Sequence, residues 1–105
     1  MDTVDGIDRM LVRGGGEVLG FRITDDSMIE AGVLTGDYIF VRKQETADRG
    51  DVVVASLGDD ELIVGYYYPE QSYVRFQPAN SEMAPVLAPK PVMLLGVVIG
   101  LYRRM

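Results

Sequence analysis

The chain has 105 residues, which is enough for one domain with a hydrophobic core. Hydrophobic residues make up 48% of it and charged residues 25%, a balance typical of a folded globular domain. Cysteine and histidine are both absent, which excludes disulfides, Cys/His metal sites, thiol nucleophiles and Ser-His-Asp triads. We predict no metal and no cofactor, and any catalysis must use hydroxyls, carboxylates, arginines or the two lysines, Lys43 and Lys90.

The net charge of −6 opposes a phosphate backbone, so this chain alone is not expected to bind DNA. The longest apolar run, residues 92–101, is well short of the ~18 residues that indicate a membrane span. Asp2, Asp5 and Asp8 lie where a signal peptide would need an apolar core. These features predict a soluble, acidic, cytoplasmic protein.

The N-terminal residues 1–16 end in three consecutive glycines, and we predict that they form a flexible arm ahead of one domain at residues 17–105. From residue 18 onward the hydrophobic pattern has mainly a period of two and is rich in Val, Ile, Tyr and Phe, which indicates strands. Six strands are predicted, at residues 18–23, 38–42, 51–55, 61–64, 73–76 and 92–102.

Glycine-containing turn signals separate these strands, at residues 35–37, 49–51 and 58–60. Residues 85–91 are spaced by prolines and are predicted to be an irregular connection, because proline cannot donate a hydrogen bond to a central strand ladder. Strands spaced by about ten residues with little helical periodicity predict a mainly β domain, either a sandwich or a partly open barrel.

Residues 26–32, Asp-Ser-Met-Ile-Glu-Ala-Gly, are the one stretch that departs from the strand pattern. Ser27 followed by Glu30 fits a capping box, and Gly32 fits the end of a single helical turn. A serine at a helix start also stands beside free backbone N–H groups, which can serve as an oxyanion hole. The pattern predicts a short helical turn and is compatible with Ser27 as a cap or as a nucleophile.

An ordered series of motifs begins at this turn. It comprises ITDDSM at 23–28, GVLTGDY at 32–38, VRK at 41–43, GDVVVA at 50–55, QPANS at 77–81 and LGVVIG at 95–100. In order and spacing, residues 21–105 resemble the C-terminal domain of LexA-type self-cleaving repressors. The resemblance implies a LexA/signal-peptidase-like fold, a twisted multi-stranded β domain with one short helical turn at the nucleophile.

The resemblance also implies a Ser/Lys dyad. A neutral lysine takes the serine proton, and the serine attacks an Ala-Gly bond of the same chain. The implied partners are a RecA filament on single-stranded DNA, which favours the cleavable conformation, and a second copy of the domain. Operator DNA of the SOS DNA-damage response is bound through a separate N-terminal domain that this sequence does not contain.

The implied site residues are Ser27, which matches the nucleophile, and Gly65, which occupies the position of the general-base lysine. The family's lysine follows an acidic–apolar–apolar–Val sequence, and here residues 61–64, Glu-Leu-Ile-Val, are followed by Gly65. Lys43 matches a basic position that the family has in addition, and Lys90 lies among prolines. A bulge in a strand is the structural alternative for Gly65. We interpret Gly65 as a replaced base, through engineering or natural loss, and predict that the chain is inactive in cleavage.

Two further departures concern the region before the serine. Asp25 stands where the family usually has glycine, and no Ala-Gly pair precedes Ser27. The arm is therefore expected to be a remnant of the cleavage-site region. The turn at Gly36-Asp37 matches a structural turn of the family and is given no chemical role.

Three functions remain open on the sequence: a LexA-type repressor domain, a UmuD-like polymerase accessory protein, and a purely associative β domain in which Ser27 is only a cap. Residues 28–43 and the C-terminal Tyr-Arg-Arg-Met favour the LexA type. Residues 94–101 are apolar on both strand faces, so we expect a homodimer through this C-terminal strand.

Overall fold

The computed structural model describes residues 2–3, 17–58 and 61–104. Within them, eight strands form one sheet in which neighbouring strands are antiparallel. The strands are β1 (Asp2–Thr3), β2 (Val18–Arg22), β3 (Tyr38–Lys43), β4 (Val52–Ser56), β5 (Leu62–Pro69), β6 (Tyr73–Gln77), β7 (Val86–Pro89) and β8 (Met93–Tyr102). One turn of 3-10 helix, Ile29–Ala31, lies between β2 and β3. The predicted mainly β fold with one short helical turn is confirmed.

The order of the strands in the sheet is β1-β2-β3-β8-β4-β5-β6-β7. The C-terminal strand β8 therefore lies between β3 and β4 and joins the two halves of the chain. All six predicted strands are present, with ends that differ by one residue in most cases. The predicted arm lies outside the described residues, apart from Asp2–Thr3, which pair with the end of β2.

Strand β5 is longer than its sequence pattern indicates. We expected it to end at Val64, but it continues through Gly65 to Pro69. Gly65 pairs with Val53 of β4, and the tyrosines that follow pair with β6. The extension has a physical cause, because aromatic side chains favour the pleated surface and β6 provides a pairing partner for residues 66–69.

Strand β7 corrects the prediction of an irregular connection at residues 85–91. Its four residues pair with β6 at the edge of the sheet, with Val86 opposite Phe76 and Ala88 opposite Val74. An edge strand needs backbone donors on one side only, and Pro89 is its last residue. The prolines therefore limit the length of β7 without preventing it.

The core forms two clusters on opposite faces of β4. One packs around Val54 and consists of Phe21, Ile23, Met28, Ile39, Val41, Val54 and Val64. The other packs around Val53 and Ala55 and consists of Val53, Ala55, Val74, Phe76, Ala88 and Leu94. Burial of β4 on both faces explains its uninterrupted apolar run. Among the described residues, no helix is long and apolar enough to cross a bilayer.

Candidate active site

Ser27 lies at the start of the connection between β2 and β3, just before the 3-10 turn. The next residue, Met28, is buried in the first core cluster and anchors this segment. Ser27 is only 7% exposed, and within the described residues its Oγ has no hydrogen-bond partner. It lines a cavity of about 80 Å³ together with mostly apolar residues, among them Ile63, Val64, Phe76, Pro78, Met83 and Val86.

The predicted capping box is wrong. The N-cap of the 3-10 turn is Met28, without a side-chain hydrogen bond, so Ser27 lies one residue too early to cap it. Glu30 does not reach back to Ser27 either. Its carboxylate accepts hydrogen bonds from the backbone N (2.7 Å) and the Oγ (2.8 Å) of Ser81, which hold the pKa of Glu30 below its usual value. The predicted end of the turn is confirmed, because Gly32 has φ +83° and donates its N–H to the Ile29 carbonyl.

The loop that follows β6 holds the serine turn from one side. In addition to the Glu30–Ser81 contacts, the backbone N of Glu30 donates to the carbonyl of Ala79 at 2.7 Å. The Asn80 side chain donates to the carbonyl of Asp26 at 2.9 Å. These contacts join residues about fifty positions apart, so no local pattern predicts them.

Asp37 and Arg103 hold the serine turn from the other side. The Asp37 carboxylate is 3% exposed and accepts hydrogen bonds from Leu34 N (2.7 Å), Arg103 Nε (2.8 Å) and Arg103 Nη2 (2.7 Å). Arg103 also donates to the Gly32 carbonyl at 2.8 Å. The guanidinium lowers the pKa of Asp37, and the carboxylate in turn raises the pKa of Arg103. Sequence reasoning identified the Asp37 turn but missed Arg103, which is 66 positions away.

Gly65 lies inside β5 and is buried. It directly follows Ile63 and Val64, which both line the Ser27 cavity. A Cβ atom added to Gly65 would lie 3.1 Å from the carbonyl oxygen of Gln77. A side chain here therefore requires a shift of a few tenths of an ångström in β6.

The two lysines of the chain do not line this cavity. The Nζ of Lys43 lies 3.4 Å from Glu17 Oε2, and its side chain is largely exposed. Lys90 is exposed just beyond β7. Among the described residues that line the cavity, Asp25 is the one with an ionisable side chain. Asp25 Oδ1 accepts a hydrogen bond from the backbone N of Ser27 at 3.0 Å. The site therefore has a buried hydroxyl but no amine beside it among the described residues.

An antiparallel β domain that presents a buried serine on a short turn defines a candidate serine-hydrolase domain. The chain belongs to the Peptidase S24-like family, whose model matches residues 2–99. It is 62% identical over 109 residues to the LexA repressor of Sorangium cellulosum (strain So ce56), an alignment that covers 100% of this chain and 46% of the relative.

Other relatives carry the same name. The LexA repressor of Anaeromyxobacter dehalogenans (strain 2CP-1 / ATCC BAA-258) is 46% identical over 108 residues, which cover 99% of this chain and 46% of that protein. The LexA repressor of Geobacillus sp. (strain WCH70) is 42% identical over 97 residues, which cover 92% of this chain and 46% of that protein. The chain spans about half the length of these relatives. The predicted resemblance to the LexA C-terminal domain is confirmed.

Proposed function

We propose that this chain is the C-terminal peptidase and dimerisation domain of a LexA-type transcriptional repressor in the SOS DNA-damage response of a bacterium. Residues 1–16 are the remnant of its cleavage-site region, and residues 17–105 are the domain. The shared name of its relatives supports this proposal over a UmuD-like accessory role. The protein acts in the cytoplasm, a RecA filament on single-stranded DNA is its partner, and operator DNA is bound by a domain outside this chain.

Ser27 is the proposed nucleophile. In cleavage of an Ala-Gly bond, Oγ forms a bond to the carbonyl carbon while a base takes the hydroxyl proton, and the carbonyl electron pair moves onto oxygen. When this electron pair re-forms the carbonyl double bond, the C–N bond breaks and the amine leaves with the proton. Water then releases the acyl group from the serine. The burial and unpartnered state of Ser27 Oγ is the observation that supports this role.

Gly65 is the proposed position of the missing base, so the chain is expected to be inactive in cleavage. The position in the strand supports this assignment, since Gly65 directly follows Ile63 and Val64, which both line the serine cavity. Gly65 is buried, and burial of a lysine there would disfavour its charged form and keep it able to accept a proton. Without a base, a serine hydroxyl is a poor nucleophile near neutral pH.

The test is cleavage in trans. Gly65→Lys should cut a LexA-type repressor whose own nucleophile has been removed, at least ~10²-fold faster than the unmodified chain, because a positioned base contributes ~10²–10⁴ in rate. The rate should rise toward pH 9–10, about where lysine loses its proton. Gly65→Met has a similar length without an amine and should be inactive, as should Gly65→Lys with Ser27→Ala. Cleavage by the unmodified chain would refute the base assignment.

Association is the proposed function that the chain retains. From Met93 to Val97, β8 pairs with β4, and at Gly96 and Val97 it pairs with β3 as well. From Val98 to Tyr102 it pairs, among the described strands, with β3 alone. Three large apolar side chains of that second half, Ile99, Leu101 and Tyr102, are exposed. An open strand edge and an exposed apolar surface on the same five residues support a two-fold interface with a second copy.

A further inference from the structure

The carboxylate of Asp25 contacts the backbone of the serine residue directly. Its Oδ1 lies 3.0 Å from the N of Ser27, and both residues line the same cavity. The adjacent carboxylate is oriented differently, because Asp26 Oδ1 accepts a hydrogen bond from the Thr35 hydroxyl at 3.1 Å. Of two neighbouring aspartates, Asp25 is therefore the one at the serine.

The backbone N–H of a nucleophilic serine, which here donates to Asp25, has a role in acyl transfer. When a serine attacks a carbonyl group, negative charge develops on the carbonyl oxygen, and backbone N–H groups that include the nucleophile's own stabilise it. Loss of one such donor costs ~10²–10³ in rate. In this chain the Ser27 N–H already donates to Asp25. A carboxylate at that donor also repels the charge that has to form there.

We propose that Asp25 is a self-inhibitory residue: its carboxylate takes the Ser27 N–H that an oxyanion requires and places negative charge in the cavity. It is a second block on the serine, independent of the missing base at position 65. A peptide carbonyl is stabilised at Ser27 only after the Asp25 side chain has turned away. The consequence for cleavage rests on the proposed role of Ser27 as a nucleophile. The effect of the Asp25 charge on a group at position 27 does not depend on that role.

The electrostatic effect is tested with Ser27→Cys, which carries the only thiol of the chain because the sequence has no cysteine. Its alkylation by iodoacetamide reports how readily a thiolate forms at position 27. Addition of Asp25→Asn should accelerate alkylation about threefold or more near pH 8, and should shift the pH–rate profile to lower pH, because a like charge disfavours the thiolate. Asp26→Asn is the matched control and should leave the rate unchanged. Equal rates in the Asp25 and Asp26 variants would overturn the proposal.

The consequence for catalysis is tested in the Gly65→Lys background by cleavage in trans. Asp25→Gly should raise the rate by about 10- to 100-fold, and Asp25→Asn should raise it less, because its amide oxygen still accepts the Ser27 N–H. Asp26→Asn should have no effect. Equal cleavage rates with and without Asp25 would refute the inhibition. If no variant cleaves while alkylation of the Ser27→Cys thiol responds as expected, the nucleophile assignment fails and the effect of Asp25 stands.

Discussion

At the scale of single residues, the buried carboxylate of Asp37 organises the loop that carries the serine. A buried charge is unfavourable unless it is paired and hydrogen-bonded, and Asp37 meets both conditions through Arg103 and the Leu34 N–H. Because Arg103 also donates to the Gly32 carbonyl, the C-terminal end of the chain is attached to the serine turn. The loop therefore depends on a residue from the other end of the domain.

Replacement of this arginine should destabilise the domain in a pH-dependent manner. We expect Arg103→Gln to lower the melting temperature by roughly 3–8 °C at pH 7, the scale of one lost interaction in a domain of this size. The folded-state pKa of Asp37 is lowered mainly by its hydrogen bond to Arg103, so the pair stabilises the fold fully above the ordinary Asp pKa of ~3.9. This stabilisation is lost as the pH falls through the folded-state pKa.

Melting curves of wild type and Arg103→Gln should therefore converge as the pH falls below ~3.9. Arg104→Gln is the control, because this neighbouring arginine is exposed and Arg103 makes the contacts with Asp37. It should melt close to wild type at every pH. A difference between Arg103→Gln and wild type that stays constant down to acid pH would contradict the pairing.

At the scale of elements, β8 has a register irregularity with each of its two neighbouring strands. Its pairing with β3 shifts register between Phe40 and Val41, and its pairing with β4 shifts between Val54 and Ala55. Such irregularities increase the local twist of a strand. The same sheet has a core cluster on each face of β4.

The close contact of β8 with β3 at Gly96 should be intolerant of a side chain. A Cβ at this position would overlap the carbonyl oxygen of Arg42 and lie 2.7 Å from Val41 Cγ1. We expect Gly96→Ala to lower the free energy of unfolding by about 3 kcal/mol or more, as measured by urea denaturation. Gly100→Ala is the matched control in the same strand, since its Cβ would meet only the Phe40 ring at 3.6 Å. Its cost should stay below ~1 kcal/mol, and equal costs would contradict the close approach.

At the scale of the whole molecule, two open strand edges of the sheet differ in what they expose. β7 is a short edge strand whose length is limited by proline. The second half of β8 has a longer open edge among the described strands, and Ile99, Leu101 and Tyr102 are exposed there. A second copy is therefore expected at β8 and not at β7.

Sedimentation velocity at tens of micromolar should show a dimer of the wild-type chain. Leu101→Asp places a charge on the exposed apolar surface and should shift the equilibrium toward monomer, with a dissociation constant at least about tenfold higher. Leu87→Asp is the matched control, because Leu87 of β7 is even more exposed, at 58% against 41% for Leu101. It should remain dimeric. A monomeric wild type, or equal dissociation of both variants, would refute the interface.

The sequence by itself determined the features that depend on neighbouring residues. Alternating apolar side chains predicted six strands, and glycines with positive φ at positions 32, 36 and 50 mark turns that the sequence had already indicated. The ordered motifs around Ser27 predicted the family. These inferences succeed because strand periodicity and left-handed turns are properties of a few consecutive residues.

Only the tertiary structure decided the partners of those residues. It assigned Glu30 to Ser81 and not to Ser27, Asp37 to Arg103, and the Ser27 N–H to Asp25. It also extended β5 beyond Gly65 and made β7 a strand, because β6 supplied a partner for both. Most of these interactions join residues that are distant in sequence, and even the Asp25 contact requires a side-chain orientation that the folded loop sets. Hydrogen bonds and strand pairs depend on distances in space, which a local pattern does not contain.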